Sequence, residues 1–319
     1  MPTDLQVLHW MPAAGRERLR ARADLLAAIR EFFRQRGVLE VETPMLSAAG
    51  NSDPGIRQFS LQEAPWWLRT SSEYAMKRLL AAEIGDIYEL GRVFRAGEQG
   101  RHHNPEFAML EWYRSGWRYQ QLMDELAELV RHCLPGMALR EARVTYRELL
   151  QDCSGVDPLE DSDQSIRARI AQTDFDVPGL DRRGMLDLLV THAAQPRLPV
   201  DQLTFVLDFP PEQAALARIH PGPPAVAERF ELFLGKVELA NGYQELTDAT
   251  EQRRRFEQEN AQRRSAGAPE VPLDERLLAA LHAGLPDCAG VALGVDRLLM
   301  RLCGASALQD VLAFPADRA

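Results

Sequence analysis

No stretch of the 319-residue chain approaches the roughly 18 consecutive apolar residues of a membrane-spanning helix, so a transmembrane protein is not expected. The segment from Met1 to Arg16 has no apolar core of signal-peptide length. Cysteine is scarce. The four present, Cys133, Cys153, Cys288 and Cys303, form no C-x-x-C pair, which argues against zinc or redox use. Buried free thiols in a reducing cytoplasm are the expectation. Basic charge is also short, and the net charge is −10. An acidic surface disfavours a large nucleic-acid partner, although it leaves room for a local basic patch. No Ser/His or Cys/His constellation stands out for covalent catalysis. What the chain does have is 45% apolar residues, enough for one large α/β domain or two ordinary ones.

The most informative stretch runs from Asp86 to Arg114. Ile87 to Arg95 carries Tyr, Val and Phe, which suit a pleated surface. Ala96 to Pro105 holds glycines, histidines and a proline, so it reads as a connection. From Glu106 to Arg114 the period of two separates the side chains. Ala108, Leu110 and Trp112 share an apolar face. Phe107, Met109, Glu111 and Tyr113 share the other, and a carboxylate beside a phenol makes a better pocket wall than a core. On the incoming strand Glu89, Gly91, Val93 and Arg95 share a face, with Gly91 leaving room above it. Taken alone, the segment also fits a surface hairpin with a solvated arginine.

Gly91-Arg92-Val93-Phe94-Arg95 followed by His103-Asn104-Pro105-Glu106-Phe107 resembles motif 2 of the class II aminoacyl-tRNA synthetases, most closely the lysyl branch. The resemblance implies that Arg95 holds the α-phosphate of ATP and that Phe107 stacks on adenine. Arginine offers phosphate a planar fork of donors, so the residue type suits the role. The loop residues Ala96, Gly97, Glu98, His103 and Asn104 fall in the ATP site by the same resemblance. The usual Arg-Asn-Glu of this motif is Arg95-Ala96-Gly97 here, which leaves its contacts to Glu98 or to backbone.

The rest of the chain extends the likeness. Arg16 to Arg36 reads as a helix, with Leu19, Ala23, Leu26, Ile29 and Phe33 on one stripe and Gly37 at its end. With the short strand Val38 to Val41 and Thr43-Pro44, it resembles motif 1, which implies a homodimer interface. Trp66 to Thr70 reads as a strand, and Ser72 as the N-cap of a helix running to about Ile84. Thr70-Ser71-Ser72-Glu73 resembles a lysyl-type substrate loop in which Ser72 replaces proline. That places Ser71, Ser72 and Glu73 at the amino acid. Glu73 also fits a plain first-turn charge that complements the helix dipole.

Tyr119 to Leu134 has an amphipathic pattern. Residues 140–210 read as a mainly helical insertion, with a capping box at Thr145 and Glu148 and a helix from Asp181 to Ala193. Leu203 to Asp208 reads as a strand within it. Beyond a turn at Gly235-Lys236, the period of two puts Glu238, Ala240 and Gly242 on one face, with space for a ligand. Glu238 and Glu245, two carboxylates beside a phosphate site, suggest magnesium. The text Glu238 to Gly242 resembles the lysyl-type sequence, which implies Glu238 and Leu239 at ATP and Glu245 at the amino acid. Asp248 to Arg264 reads as a charged, solvated helix. Gly290 to Met300 resembles motif 3, which implies Arg297 on the γ-phosphate. There Gly294 would let the backbone approach the nucleotide.

The fold implied is α/β of the α+β kind: a class II synthetase-like antiparallel sheet flanked by helices. Residues 1–15 are an extension, and 16–319 form a single catalytic domain. Motif 1 begins almost at once, which leaves no room for the anticodon-binding barrel of a lysyl-tRNA synthetase. The segments above, with Met109 to Arg114, are most similar to the elongation factor P lysine ligases. That family implies ATP and Mg2+, activation of (R)-β-lysine as an acyl-adenylate, and transfer to a lysine ε-amine of elongation factor P. Tyr113 and Ala292 fall in the substrate pocket by this likeness, and tRNA is not an expected partner. Open beside it stand a lysine-type ligase acting on a small amine or on tRNA, and a non-catalytic paralogue that senses an amino acid. Arg95 and Arg297, the catalytic pair implied, both stand.

Overall fold

Alternation along one strand settles where the two faces of the molecule lie. In the computed structural model, which describes residues 10–319, strand β5 (Glu106–Ser115) is the tenth-residue-long centre of the site. Its Ala108, Leu110 and Trp112 enter one core cluster, and its Tyr113 enters another on the opposite face. The first nine residues, part of the 1–15 extension, lie outside the described residues.

Before β5 come helix α1 (Arg16–Gln35), the short strands β1 (Leu39–Glu40), β2 (Leu46–Ser47) and β3 (Trp67–Leu68), helix α2 (Glu73–Ala81) and strand β4 (Ile87–Phe94). After it come α3 (Tyr119–Cys133), β6 (Arg140–Thr145), α4 (Tyr146–Ser154), α5 (Asp163–Ile170), α6 (Arg182–Leu189) and β7 (Gln202–Phe209). The chain continues through β8 (Ile219–His220), β9 (Val226–Leu234), β10 (Val237–Gln244), α7 (Ala249–Ser265), α8 (Glu275–Gly284), β11 (Cys288–Gly294) and α9 (Val295–Leu302).

The main sheet runs β1-β4-β5-β11-β10-β9-β7-β6, with β8 beside β9. Its two outer pairs, β1 with β4 and β6 with β7, are parallel, and the rest is antiparallel. This is the α+β architecture expected. One face is covered by α1, α3 and α9, where Phe33 stacks on Tyr88 at 4.5 Å and meets the fully buried Trp112 edge-on at 5.4 Å. On the other face, α2 and α8 pack at one end and α4 to α6 at the other. The functional side chains of β4, β5, β10 and β11 face the same way as these two clusters.

Three local readings need correction. The stretch 140–210 carries helices, but its ends are β6 and β7, which pair with each other in parallel and extend the main sheet. Charged α7 is not a solvated helix throughout: Gln252, Arg255, Phe256, Asn260 and Arg263 are buried. Arg255 is held there because its guanidinium donates to the carbonyls of Ala215 and Ala217. Ser72 stands at the start of α2, but its hydroxyl does not cap it and points to the Met76 sulfur. The Ser71 hydroxyl accepts the Glu73 N–H instead, at 3.0 Å. Elsewhere the capping signals hold: Thr145 with Glu148 at α4, Asp181 at α6 and Asp248 at α7.

Candidate active site

A cavity of about 360 Å3 opens over β5, β10 and β11. One end is cationic. Arg95, just past β4, donates from Nε to the Thr70 carbonyl at 3.3 Å, and its guanidinium carbon lies 5.3 Å from the centre of the Phe107 ring. Glu98 sits 3.8 Å from Arg95 and also lines the cavity. Arg297, on the first turn of α9, donates to the Glu238 carbonyl at 2.9 Å and lies 3.5 Å from the Glu238 carboxylate. Its other nitrogen is 2.9 Å from His103 Nε2. Burial, then the positive charge of Arg297, lowers the pKa of both His102 and His103, so these imidazoles stay neutral. Two guanidinium groups and a phenyl ring thus line one end, a donor set suited to a nucleotide triphosphate.

The loop between β4 and β5 departs from expectation. The Ala96 N–H is taken by the Arg57 carbonyl at 2.8 Å, and Gly97, at φ +79°, packs beside the Arg57 side chain. Neither lines the cavity. Asn104 is at the rim but structural: it donates to the Glu106 carbonyl and accepts the Ala316 N–H, tying the C-terminal segment to this loop. At Gly294 an added Cβ would meet only the Arg297 chain, at 3.6 Å, so the space above it is open. The carboxylate of Asp296 is buried, accepts the Ala108 N–H and pairs with Arg22. It thereby clamps α9, β5 and α1 to one another.

A β-bulge between Glu238 and Ala240 overturns the expected face of β10. One extra residue shifts the alternation. Beyond it Asn241, Tyr243 and Glu245 face the site, whereas Gly242 turns to the core, where a Cβ would stand 2.6 Å from the Phe230 ring. Leu239 packs its side chain in the core while still lining the cavity at the bulge.

The bulge also bears on magnesium. Glu238 and Glu245 are seven residues apart on an extended strand, about 20 Å, so they cannot share one ion. The acid near Glu238 is Glu231, opposite Asn241 on β9. Burial raises the Glu231 pKa; Arg229 opposes this, and the Glu238 charge adds to it. No group of three or more His, Cys, Asp or Glu is arranged for a metal among the described residues. Two carboxylates at the phosphate end fit magnesium, which takes few protein ligands and completes its shell with phosphate and water. A magnesium ion there would neutralise charge on phosphate oxygens. The sequence held one signal for Glu231: the hairpin spacing that sets it across from the Glu238 strand.

The other end is anionic and buried. Ser71 donates its hydroxyl to Glu111 at 2.9 Å, and the Ser72 N–H donates to the same carboxylate at 2.7 Å. Burial, against these hydrogen bonds, pushes Glu111 up to about 7. Glu73 lines the cavity and accepts the Tyr243 hydroxyl at 3.3 Å. Glu245 and Tyr113 lie fully beneath the wall. Gly290 makes this possible, since a Cβ there would stand 2.3 Å from both Glu245 Oε1 and the Tyr113 ring. Oε1 of Glu245 is buried with no hydrogen-bond partner among the described residues. A buried carboxylate oxygen without a donor is costly, and an incoming ammonium would satisfy it. Ala292 lines the cavity between Glu111 and Asn241, its partners on β5 and β10.

The sheet, the hairpin arginine and the α9 arginine over one cavity define a class II synthetase catalytic domain. The family model of the tRNA synthetases class II (D, K and N) matches residues 2–318, and the chain belongs to that family. Within it, the chain is 46% identical over 318 residues to the elongation factor P--(R)-beta-lysine ligase of Vibrio vulnificus, covering 96% of this chain and 98% of that one. It is 45% identical to the proteins of the same name from Salmonella gallinarum, over 97% of this chain and 98% of the relative, and Proteus mirabilis, over 98% and 99%. The chain is an enzyme of the ligase class that uses ATP with magnesium.

Proposed function

We propose that the chain activates (R)-β-lysine with ATP and transfers the β-lysyl group to the ε-amine of a lysine on elongation factor P. One observation carries this reading. The cavity is cationic at one end and holds a buried acid cluster at the other, with a carboxylate oxygen awaiting a donor. Such a cavity suits a diamino acid whose carboxylate points to a nucleotide. The substrate carboxylate oxygen attacks the α-phosphorus, and the bond to the bridging oxygen breaks to release pyrophosphate. Arg95 and Arg297 lie where the negative charge develops, so catalysis rests on positioning and electrostatics. In the second step a neutral amine attacks the acyl carbon, an amide forms, AMP leaves and the amine loses a proton. The four cysteines are all free and play no part in these steps. Among the described residues no helix is long and apolar enough to cross a membrane, and we place the reaction in the cytoplasm. The deciding experiment supplies ATP and β-lysine with either elongation factor P or tRNA. A mass increase on the protein alone supports the reading, and charging of tRNA alone would replace it.

Ala292 supplies the preference between isomers in this proposal. In β-lysine the amine sits one carbon further from the carboxylate than in α-lysine. A methyl group on the cavity wall between Glu111 and Asn241 obstructs the α-amine and spares the β-amine. Ala292→Gly is expected to raise kcat/KM for α-lysine relative to β-lysine by about 10-fold or more, within the 1–3 kcal/mol that one methyl is worth. Pyrophosphate exchange with each isomer reads the ratio, and an unchanged ratio removes Ala292 from selectivity.

A two-fold homodimer built on the α1–β1 unit belongs to the same proposal. Leu39, Met45, Leu46, Phe59, Leu61 and Trp66 follow α1 in the chain and are exposed apolar side chains, which a partner surface would cover. Light scattering at micromolar concentration is expected to give twice the chain mass, and a monomer would withdraw that role.

A further inference from the structure

Behind the amino-acid end of the cavity lies a charge that the reading above has not used. Lys77, on the second turn of α2, is 1% exposed. Its Nζ stands 2.6 Å from Glu73 Oε1 and 2.5 Å from Glu245 Oε2. It therefore takes one oxygen of each carboxylate. The other oxygen of Glu73 meets Tyr243, and the other oxygen of Glu245 meets no donor. The two acids come from elements far apart in sequence, and this ammonium joins them.

We propose that Lys77 is the fixed counter-ion of the amino-acid site. It is a positioning residue that turns the outer oxygens of Glu73 and Glu245 toward the substrate and sets the site's net charge for a diamino acid. The assignment rests on the reading that this end of the cavity receives the amino acid. Charge counting supports it. Glu73, Glu111 and Glu245 surround the one ammonium, so the cluster carries two uncompensated negative charges when all three acids are ionised. Two substrate ammonium groups match that. Without Lys77 the same cluster would hold three adjacent carboxylates in a buried space, and it would take up a proton rather than stay ionised.

The groups that face this cluster are few. They are Glu73 on α2, Glu111 and Tyr113 on β5, Tyr243 and Glu245 at β10, and Cys288 on β11. Burial alone would lower the Lys77 pKa, but the Glu245 and Glu73 charges outweigh it and hold the ammonium above its ordinary range. Burial raises Glu245, with Lys77 pulling the other way and Glu73 adding to the rise. Burial likewise raises Glu111, Tyr113, Tyr243 and Cys288, so the last three stay protonated at neutral pH. The acids with raised pKa bind a diamino substrate once they ionise. KM for the amino acid in the wild type should therefore fall as pH rises through about 7, the Glu111 value.

The test is pyrophosphate exchange with β-lysine or α-lysine between pH 6 and 9, for wild type, Lys77→Met and Lys77→Gln. Lys77→Met should raise KM for the amino acid at least 10-fold at pH 7, leave KM for ATP within twofold, and move the falling limb of the amino-acid KM to higher pH. Lys77→Gln keeps a donor without the charge and should move the limb equally. If neither single variant folds, Lys77→Met/Glu245→Gln removes the pair together and should fold, bind ATP and lose the falling limb. A variant that folds and keeps the wild-type pH dependence of KM overturns the assignment alone. Wild-type protein that exchanges with no diamino acid overturns the functional reading, and the assignment with it.

Discussion

Arg95→Ala is expected to lower amino-acid-dependent pyrophosphate exchange by at least about 100–1,000-fold, the usual cost of deleting one preorganised donor to developing charge. Arg95 reaches the cavity from the end of β4, steadied by the Thr70 carbonyl and beside the Phe107 ring. None of these contacts is a core contact, so the thermal melt should not move. Loss of exchange with a normal melt assigns Arg95 to the chemistry. Retained exchange would mean that the arginine merely sits at the cavity rim, and the nucleotide end would have to be reassigned.

The second large effect is expected on stability, behind the same hairpin. Arg69 and Glu89 form a buried ion pair at 2.6 Å, with side chains 5% and 4% exposed. Arg69 also donates to Thr43 Oγ1 at 2.8 Å and to the Arg92 carbonyl at 2.9 Å. Gly91 is what makes room for it: a Cβ there would lie 2.3 Å from the guanidinium. Arg69→Met strands the Glu89 carboxylate in the interior and should cost about 3–5 kcal/mol of unfolding free energy. Denaturant unfolding measures it. A loss of only about 1 kcal/mol, the range of a solvated pair, would show that water reaches Glu89.

Much of this was legible in the sequence because it depends on short-range rules. The period of two along β5 separated Trp112 from Glu111, and the structure puts them on opposite faces. The three motif segments led to Arg95, Phe107 and Arg297, and the structure gathers these around one cavity. Caps at Thr145, Asp181 and Asp248 follow from one side chain and the next three residues. Where the reading of β10 failed, the cause was the bulge at Glu238 to Ala240, which adds one residue to the strand without a distinctive local signal. It exchanged Gly242 for Asn241 and Tyr243 on the site face.

The sequence by itself determined the elements, the faces of β4 and β5, and the residue types at the nucleotide end. Each of these is a property of neighbours a few positions apart. The tertiary structure alone decided that Glu245 pairs with Lys77 rather than sharing an ion with Glu238. It also decided that Glu231 stands near Glu238, and that the space beside Gly91 belongs to a guanidinium rather than a ligand. Those outcomes depend on which strand lies beside which and in what register. Lys77 and Glu245 are far apart in the chain and meet only when α2 closes over the end of β10, so no local pattern could disclose the contact that sets the charge of the site.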